Sequence, residues 1–452
     1  MFYIFSLSKN VIISIMKRYS IKKLISWKNK PNRKPLILQG ARQTGKTWLL
    51  KDFGKQEYTN TAYLSFENNE GIQQIFKNSQ EISRIISGIE LETKVKIVPQ
   101  ETLIILDEIQ ECPNALNSLK YFCENAPQYH IAAAGSLLGV AMQHKGVSFP
   151  VGKNDFIDLL PMSFYEFLEA VGEERMPDVL RKRDFVMAAA FKDKYEHLLK
   201  EYLFVGGMPE AVKSFAEHKD FAEVSYIHES LLRAYEEDFS KHINNADIPK
   251  VRMIWDSIPP QLAKPNKKFV YSMIKSGARV KEFENAMDWL LRTGLAYSVS
   301  RANKPGLPLR AYEDRASFKL FMLDCGLMGA KAGLEAKSII EGNRIFEEFR
   351  GALTEQYVMQ ELKNALNLPT AYWEGRNSEI DFIIQKSGQI IPIEVKSGIN
   401  LKAKSLKAYI DKYSPEIAIR TSLADYKKTG VIYDIPLYAI GSLAEIIDGG
   451  GD

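Results

Sequence analysis

Cysteine is scarce in this 452-residue chain, with only Cys112, Cys123 and Cys325. None of the three forms a CxxC pair, and an odd count gives no disulfide framework, so a reducing, cytoplasmic compartment is expected. Charge imbalance is small as well. Sixty Lys and Arg stand against 56 Asp and Glu, a net charge of +4. That excludes a chain-wide affinity for polyanions, and any nucleic-acid contact must come from a local patch. Long apolar runs are missing after the first few residues. Phe2 to Met16 is apolar but is interrupted by Lys9. It is too short to span a bilayer, and its basic pair, Lys17-Arg18, follows the stretch where a secretory signal would carry charge before it. Residues 1–15 are therefore read as an extension upstream of a start at Met16, with a short membrane-associating arm as the alternative and no stable membrane insertion. Internal repeats and low-complexity tracts are absent too.

What is there is globular. Hydrophobic residues make up 45% and charged residues 26%, and the length suits about three domains of ~100–200 residues. From Leu36 to about Leu160, short apolar runs alternate with helical patterns. Leu36–Gly40, Ala62–Phe66, Leu103–Asp107, His130–Gly135 and Asp155–Leu160 read as strands. Continuous apolar strands separated by helices imply a parallel sheet covered on both faces, an α/β architecture. Beyond Pro161 the apolar spacing turns to three and four, as in SFYEFLEAV and FAEVSYIHESLLRAYEEDF, which predicts a helical lid or linker. KKFVYSMIKSG and VKEFENAMDWLLRTG, followed by two strands around NKPGLP, suggest a winged helix-turn-helix. A long helix from about Ile339 to Leu366 and strands at Glu379–Ile384 and Ile390–Lys396 follow. The expected domains are 16–165, 166–260, 261–334 and 335–452.

The strongest motif is Gly40-Ala41-Arg42-Gln43-Thr44-Gly45-Lys46-Thr47, a GxxxxGK[ST] loop between a predicted strand and a predicted helix. Its glycines let backbone amides wrap phosphates without Cβ clashes, and the helix N-terminus adds partial positive charge. Lys46 would reach the β- and γ-phosphates of ATP, and Thr47 would ligate Mg²⁺. About sixty residues on, Leu103–Leu106 deliver Asp107-Glu108 to a strand end. Asp107 would hold Mg²⁺ and Glu108 would polarise the attacking water. Ser136 ends the next apolar strand and could sense the γ-phosphate, or be a simple turn serine. A further cation is expected near the γ-phosphate, often from a neighbouring subunit of a homo-oligomer. Lys153, Arg233 and Arg252 are the candidates.

A second acidic set lies near the C-terminus. Asp381 sits on one strand, and thirteen residues later Glu394-Val395-Lys396 sits on the next. Period-two geometry puts Glu394 and Lys396 on one face. Asp381 and Glu394 could share a second divalent cation, with Glu355 from the preceding helix completing the set and Lys396 orienting water or stabilising phosphate charge. This is the PD-(D/E)xK nuclease pattern. The same alternation also describes an ordinary half-buried strand. Lys402, Lys404, Lys407 and Lys412 follow as a basic helix that could hold a DNA or RNA backbone or simply face solvent.

LILQGARQTGKTWLL, LIILDEIQECP, AAAGSLLG, LLPMSFYEFL, YLFVGGMPEAV, FMLDCGL, and EIDFII with PIEVKSG together cover nearly all of the chain after Met16. In these stretches it resembles the prokaryotic AAA-family ATP-binding proteins that carry the C-terminal domain of unknown function 4143. The resemblance implies a P-loop ATPase core, a winged-helix-like middle and a PD-(D/E)xK-like end. It also implies nucleotide binding at Gly40 to Thr47, Asp107 and Glu108. Many relatives have Gly-Arg where this chain has Gly152-Lys153, so no arginine role transfers to that point. The expected function is a Mg²⁺-dependent ATPase coupled to a nucleic-acid-binding or nuclease-like C-terminal region. The alternatives are a nucleotide-dependent protein switch with an inert C-terminal fold and an ATP-regulated nuclease.

Overall fold

The structure, a computed structural model, describes residues 16–136, 152–342, 347–399 and 404–449. The extension at 1–15 and Lys402 lie outside the described residues. The chain divides into two compact units. One is built from 18–160 with 292–295, and the other from 16–17, 161–291 and the chain from 296 onward.

The first unit holds five strands: β1 (Leu36–Gln39), β2 (Asn60–Ser65), β3 (Thr102–Asp107), β4 (His130–Gly135) and β5 (Asp155–Asp158). They pair in the order β2-β3-β4-β1-β5, every pair parallel. All of β3 is buried, as are Leu36, Ile37 and Leu38 of β1. Alternate side chains leave opposite faces of each strand, so a strand buried throughout needs cover on both. Phe76, Ile89, Leu116 and Phe122 supply it on one side, and Leu24, Leu49, Leu50 and Phe53 on the other. Each strand expected from the sequence is found within about two residues. The sequence did not give their order. It inserts β4 between β1 and β3, so the carboxyl ends of all three line up along one edge.

The second unit starts with helices. Ser163 caps the helix Phe164–Ala170 in a reciprocal box. Its backbone N–H donates to Glu166 at 2.8 Å, and its hydroxyl accepts from the Glu166 N–H. Helices Lys192–Val205, Pro209–His218, Phe221–His242 and Ile248–Leu262 follow. The Gly206-Gly207 break is a packing requirement. The Gly207 N–H donates to buried Asp324 at 2.6 Å, and a Cβ on Gly207 would lie 2.1 Å from the Met162 carbonyl oxygen. Asp324 also accepts from Gln360, which bonds the Tyr202 hydroxyl at 2.8 Å.

An eight-stranded mixed sheet follows: β6 (Ala296–Ala302), β7 (Glu313–Met322), β8 (Thr370–Glu374), β9 (Glu379–Lys386), β10 (Gln389–Val395), β11 (Ala418–Ser422), β12 (Lys427–Thr429) and β13 (Ile432–Pro436). Its order is β12-β13-β11-β10-β9-β8-β6-β7. β8, β9 and β10 run antiparallel. The helix Lys404–Tyr413 then carries the chain over to β11, which is parallel to β10.

Two features differ from the sequence reading. The hairpin β6–β7, expected as the wing of a separate module at 261–334, pairs through β6 with β8 and extends the C-terminal sheet. The helix expected over KKFVYSMIKSG is a single 3-10 turn, Tyr271–Met273. The backbone there is engaged elsewhere: Phe269 N–H donates to Phe318 O at 2.8 Å, and Val270 N–H to the Gln261 side chain at 2.6 Å. The long helix runs Glu347–Ala365, preceded by a π-turn at Ser338–Gly342.

Candidate nucleotide site and a second charged cluster

The loop after β1 is shaped for backbone-amide contact. Gly40 has φ 154°, and a Cβ there would lie 2.3 Å from the Leu159 carbonyl oxygen, so only glycine fits. Gln43 (φ 64°) and Gly45 (φ 89°) turn the chain into the helix Lys46–Glu57. Thr44 folds its hydroxyl back onto Ala41 O at 2.9 Å. Buried Arg18 braces the turn, donating to Thr44 O at 2.8 Å and to Leu160 O at 2.5 Å.

Lys46 is only 7% exposed, and its Nζ donates to the carbonyls of Gly40 (3.0 Å) and Ala41 (2.8 Å). Burial lowers its pKa to about 8 against the opposing pull of Glu108 and Asp107. Asp107, at the end of β3, is the hub of the site. Its Oδ2 accepts from Thr47 Oγ1 at 2.8 Å and from the Tyr63 hydroxyl at 2.9 Å, and its Oδ1 from the Glu108 N–H at 3.1 Å. Burial and the neighbouring Asp107 raise the Tyr63 hydroxyl to about 12, so it stays a donor. Glu108 takes a left-handed φ of 50°, a strained conformation for a non-glycine residue. Its carboxylate accepts from Gln110 at 2.5 Å. Ser136 follows β4, the strand between β1 and β3.

The oxygens fit Mg²⁺. Two cis ligands at 2.0–2.1 Å in an octahedron lie about 2.9 Å apart, close to the spacing of Thr47 Oγ1 and Asp107 Oδ2. Arg42 flanks Lys46 and opposes its charge. Lys153 precedes β5, at the edge of the sheet opposite the phosphate loop, and pairs with Glu124 at 2.8 Å. Arg233 is exposed, and Arg252 donates to the Ser240 hydroxyl at 3.3 Å. Arg18, Tyr63 and Gln110 were missed from sequence. Only Arg18 had left a trace, as half of the basic pair after Met16.

In the second unit the C-terminal acids are gathered together with lysines. Asp381 on β9 accepts from the Val395 N–H at 2.8 Å. Glu394 on β10 pairs with Lys396 at 2.6 Å. Glu355, on the long helix, is 4% exposed and pairs with both Lys267 and Lys319, the latter at 3.6 Å. Lys319, on β7, has no exposed surface and also meets Glu379 at 2.5 Å. Burial alone would lower the Lys319 pKa, but Glu355, Glu379 and Asp381 outweigh it and hold the ammonium above its ordinary value. Burial pushes Glu355 up, and Lys319 and Lys267 overcome that to leave it lowered. Asp381 is raised by burial and by Glu355, and Glu394 by burial against Lys396. Among the described residues no group of three or more His, Cys, Asp or Glu is arranged to hold a metal ion. The cations beside these acids are ammonium groups. Lys267, Lys319 and Glu379 were not singled out from sequence. A lone lysine inside the apolar run FKLFM was the available signal.

A parallel sheet ordered β2-β3-β4-β1-β5, with a GxxxxGK[ST] loop after β1 and an acidic pair after β3, defines a P-loop NTPase fold. The AAA domain family matches residues 32–168, and two domains of unknown function, DUF8612 and DUF4143, match 196–338 and 350–440. The P-loop unit is accordingly similar to the AAA domain family, and the C-terminal part to DUF4143. Among solved structures it is similar to the Walker-type ATPase PABY2304 of Pyrococcus abyssi, with 12% identity, 70% of this chain and 96% of that chain covered, and a TM-score of 0.43. It is also similar to the Aeropyrum pernix ORC1 protein in complex with DNA (11%, 70% and 91%, 0.28). The Thermotoga maritima RuvB Holliday junction branch migration motor is a third (11%, 62% and 89%, 0.27). No curated protein matches the chain. No helix of the described residues is long and apolar enough to cross a membrane.

Proposed function

We propose that the protein is a Mg²⁺-dependent ATP hydrolase. The observation that carries this reading is the convergence of Lys46, Thr47, Asp107 and Glu108 at one edge of the sheet. Gly40 to Thr47 would receive the triphosphate on backbone N–H groups, with Lys46 exchanging its two carbonyl partners for phosphate oxygens. Thr47 and Asp107 would hold Mg²⁺, which, when bound, neutralises phosphate charge. Glu108 would accept a proton from the attacking water, its carboxylate oriented by Gln110. Ser136, which follows β4 between the two motifs, would sense the γ-phosphate. A cation completing the site would come from elsewhere in the chain or from a second copy in a homo-oligomer. Lys153 is unsuited to that role within its own copy.

The test is ATP turnover by purified protein, with and without DNA or RNA. Turnover should need Mg²⁺ and Lys46, and unchanged turnover in Lys46→Ala would sink the proposal. The C-terminal region is the output. Lys404, Lys407 and Lys412 on the helix Lys404–Tyr413 would offer positive charge to a nucleic-acid backbone, and steep salt dependence of DNA binding would support it. The second reading is a nucleotide-dependent switch that binds a protein partner. The lysine-paired acids of the C-terminal cluster favour it.

A further inference from the structure

The second cluster poses a question that the nucleotide site does not answer. Four carboxylates, Glu355, Glu379, Asp381 and Glu394, meet three ammonium groups, Lys267, Lys319 and Lys396. Nuclease sites of this pattern use such acids to hold a divalent cation. Here the acids already have partners. Glu355 is shared between Lys267 and Lys319, Glu379 pairs with Lys319, and Glu394 with Lys396. The Asp381 carboxylate is tied to the Val395 N–H. Glu355 Oε2, Glu394 Oε2 and Lys319 Nζ itself are buried with no hydrogen bond among the described residues, so Lys319 meets Glu355 Oε2 as an ion pair, at 3.6 Å, through charge alone.

We infer that Lys319, with Lys267, is the resident counter-ion of this carboxylate cluster and takes the place a divalent cation would fill, so the nuclease-like fold works without metal. Three observations support this. Lys319 has no exposed surface, and a buried charge is tolerated only where partners compensate it. A metal bound to Glu355 Oε2 at the usual 2.0–2.1 Å would lie no farther than about 6 Å from the Lys319 ammonium, a close approach of like charges in a buried setting. Moreover, Lys319 comes from β7, outside the strands that carry the acids, and it reaches the cluster because the β6–β7 hairpin joins the sheet at β8. The lysine is therefore built in by the fold, since no rotation of a surface side chain delivers it. This inference is independent of the ATPase reading.

The experiment is Mn²⁺ binding to nucleotide-free full-length protein, read by electron paramagnetic resonance and by thermal shift. Asp107→Asn is the background, which removes the other carboxylate site. The parent should bind no stoichiometric Mn²⁺ at 1 mM. Lys319→Ala should gain one Mn²⁺, with apparent affinity at least tenfold tighter than the parent, and Asp381→Asn should abolish the gain. If Lys319→Ala does not fold, Lys319→Met, which keeps the length of the side chain and removes only its charge, should gain the same single Mn²⁺, and a folded Lys319→Met that gains none also overturns the inference. One Mn²⁺ bound by the parent and lost in Asp381→Asn overturns the inference. So does Mg²⁺-dependent cleavage of DNA or RNA that requires Asp381, or a folded Lys319→Ala that gains no Mn²⁺. A fault in the ATPase proposal would show as absent turnover and would leave these readings unchanged.

Discussion

Thr47 Oγ1 donates a 2.8 Å hydrogen bond to Asp107 Oδ2 across sixty residues of sequence. This contact ties the phosphate loop to the acidic strand. It also sets two oxygens at the spacing that cis ligands of a Mg²⁺ ion require. Replacing Asp107 with Asn keeps the hydrogen-bonding shape and removes the charge. The expected result is ATP binding that has become about tenfold less sensitive to Mg²⁺, measured by fluorescent-nucleotide titration across Mg²⁺ concentrations.

Lys46 and Glu108 should separate binding from chemistry. Lys46→Ala removes the ammonium from the triphosphate and should weaken ATP binding by about 100-fold, the equivalent of ~3 kcal/mol for a charge-assisted hydrogen bond. Glu108→Gln should bind ATP normally while kcat falls ~10²–10⁴-fold, the range for loss of a general base. Calorimetry for binding and phosphate release for turnover distinguish the two.

The depressed Lys46 pKa makes a signed statement about pH. In the free protein the ammonium is lost as pH rises through about 8. A bound triphosphate favours the charged form and raises the pKa. Nucleotide binding should therefore take up protons above about pH 8, and affinity should be greatest below that value and decline toward pH 9.5. Calorimetry in buffers of different ionisation enthalpy measures the uptake. It should vanish in Lys46→Met, and uptake that persists there would assign the proton elsewhere.

Gly207 gives a stability test unconnected with nucleotide. A methyl group there meets the Met162 carbonyl oxygen at 2.1 Å, a backbone atom with no freedom to yield. Gly207→Ala should cost about 3 kcal/mol, at the upper end for overpacking, and should lower Tm by several degrees. Gly333→Ala, which has open space around it and meets only the strain of a positive φ of 72°, should cost only about 1 kcal/mol.

The sequence by itself determined the five strands of the first unit, the phosphate loop, Asp107-Glu108 and the order of acids in the C-terminal part. These are local signals, carried by apolar runs, glycine spacing and strand periodicity, and a strand of period two fixes which residues share a face without reference to the rest of the chain. Strand order and the partners of buried charges are not local. Only the tertiary structure placed β4 between β1 and β3, folded Arg18 beneath the phosphate loop and attached the β6–β7 hairpin to the C-terminal sheet. Glu355, Asp381 and Glu394 spell the same pattern whether a metal or an ammonium group faces them. Lys319 decides between the two, and it enters from a strand whose position depends on the pairing of distant segments, which no spacing in the sequence records.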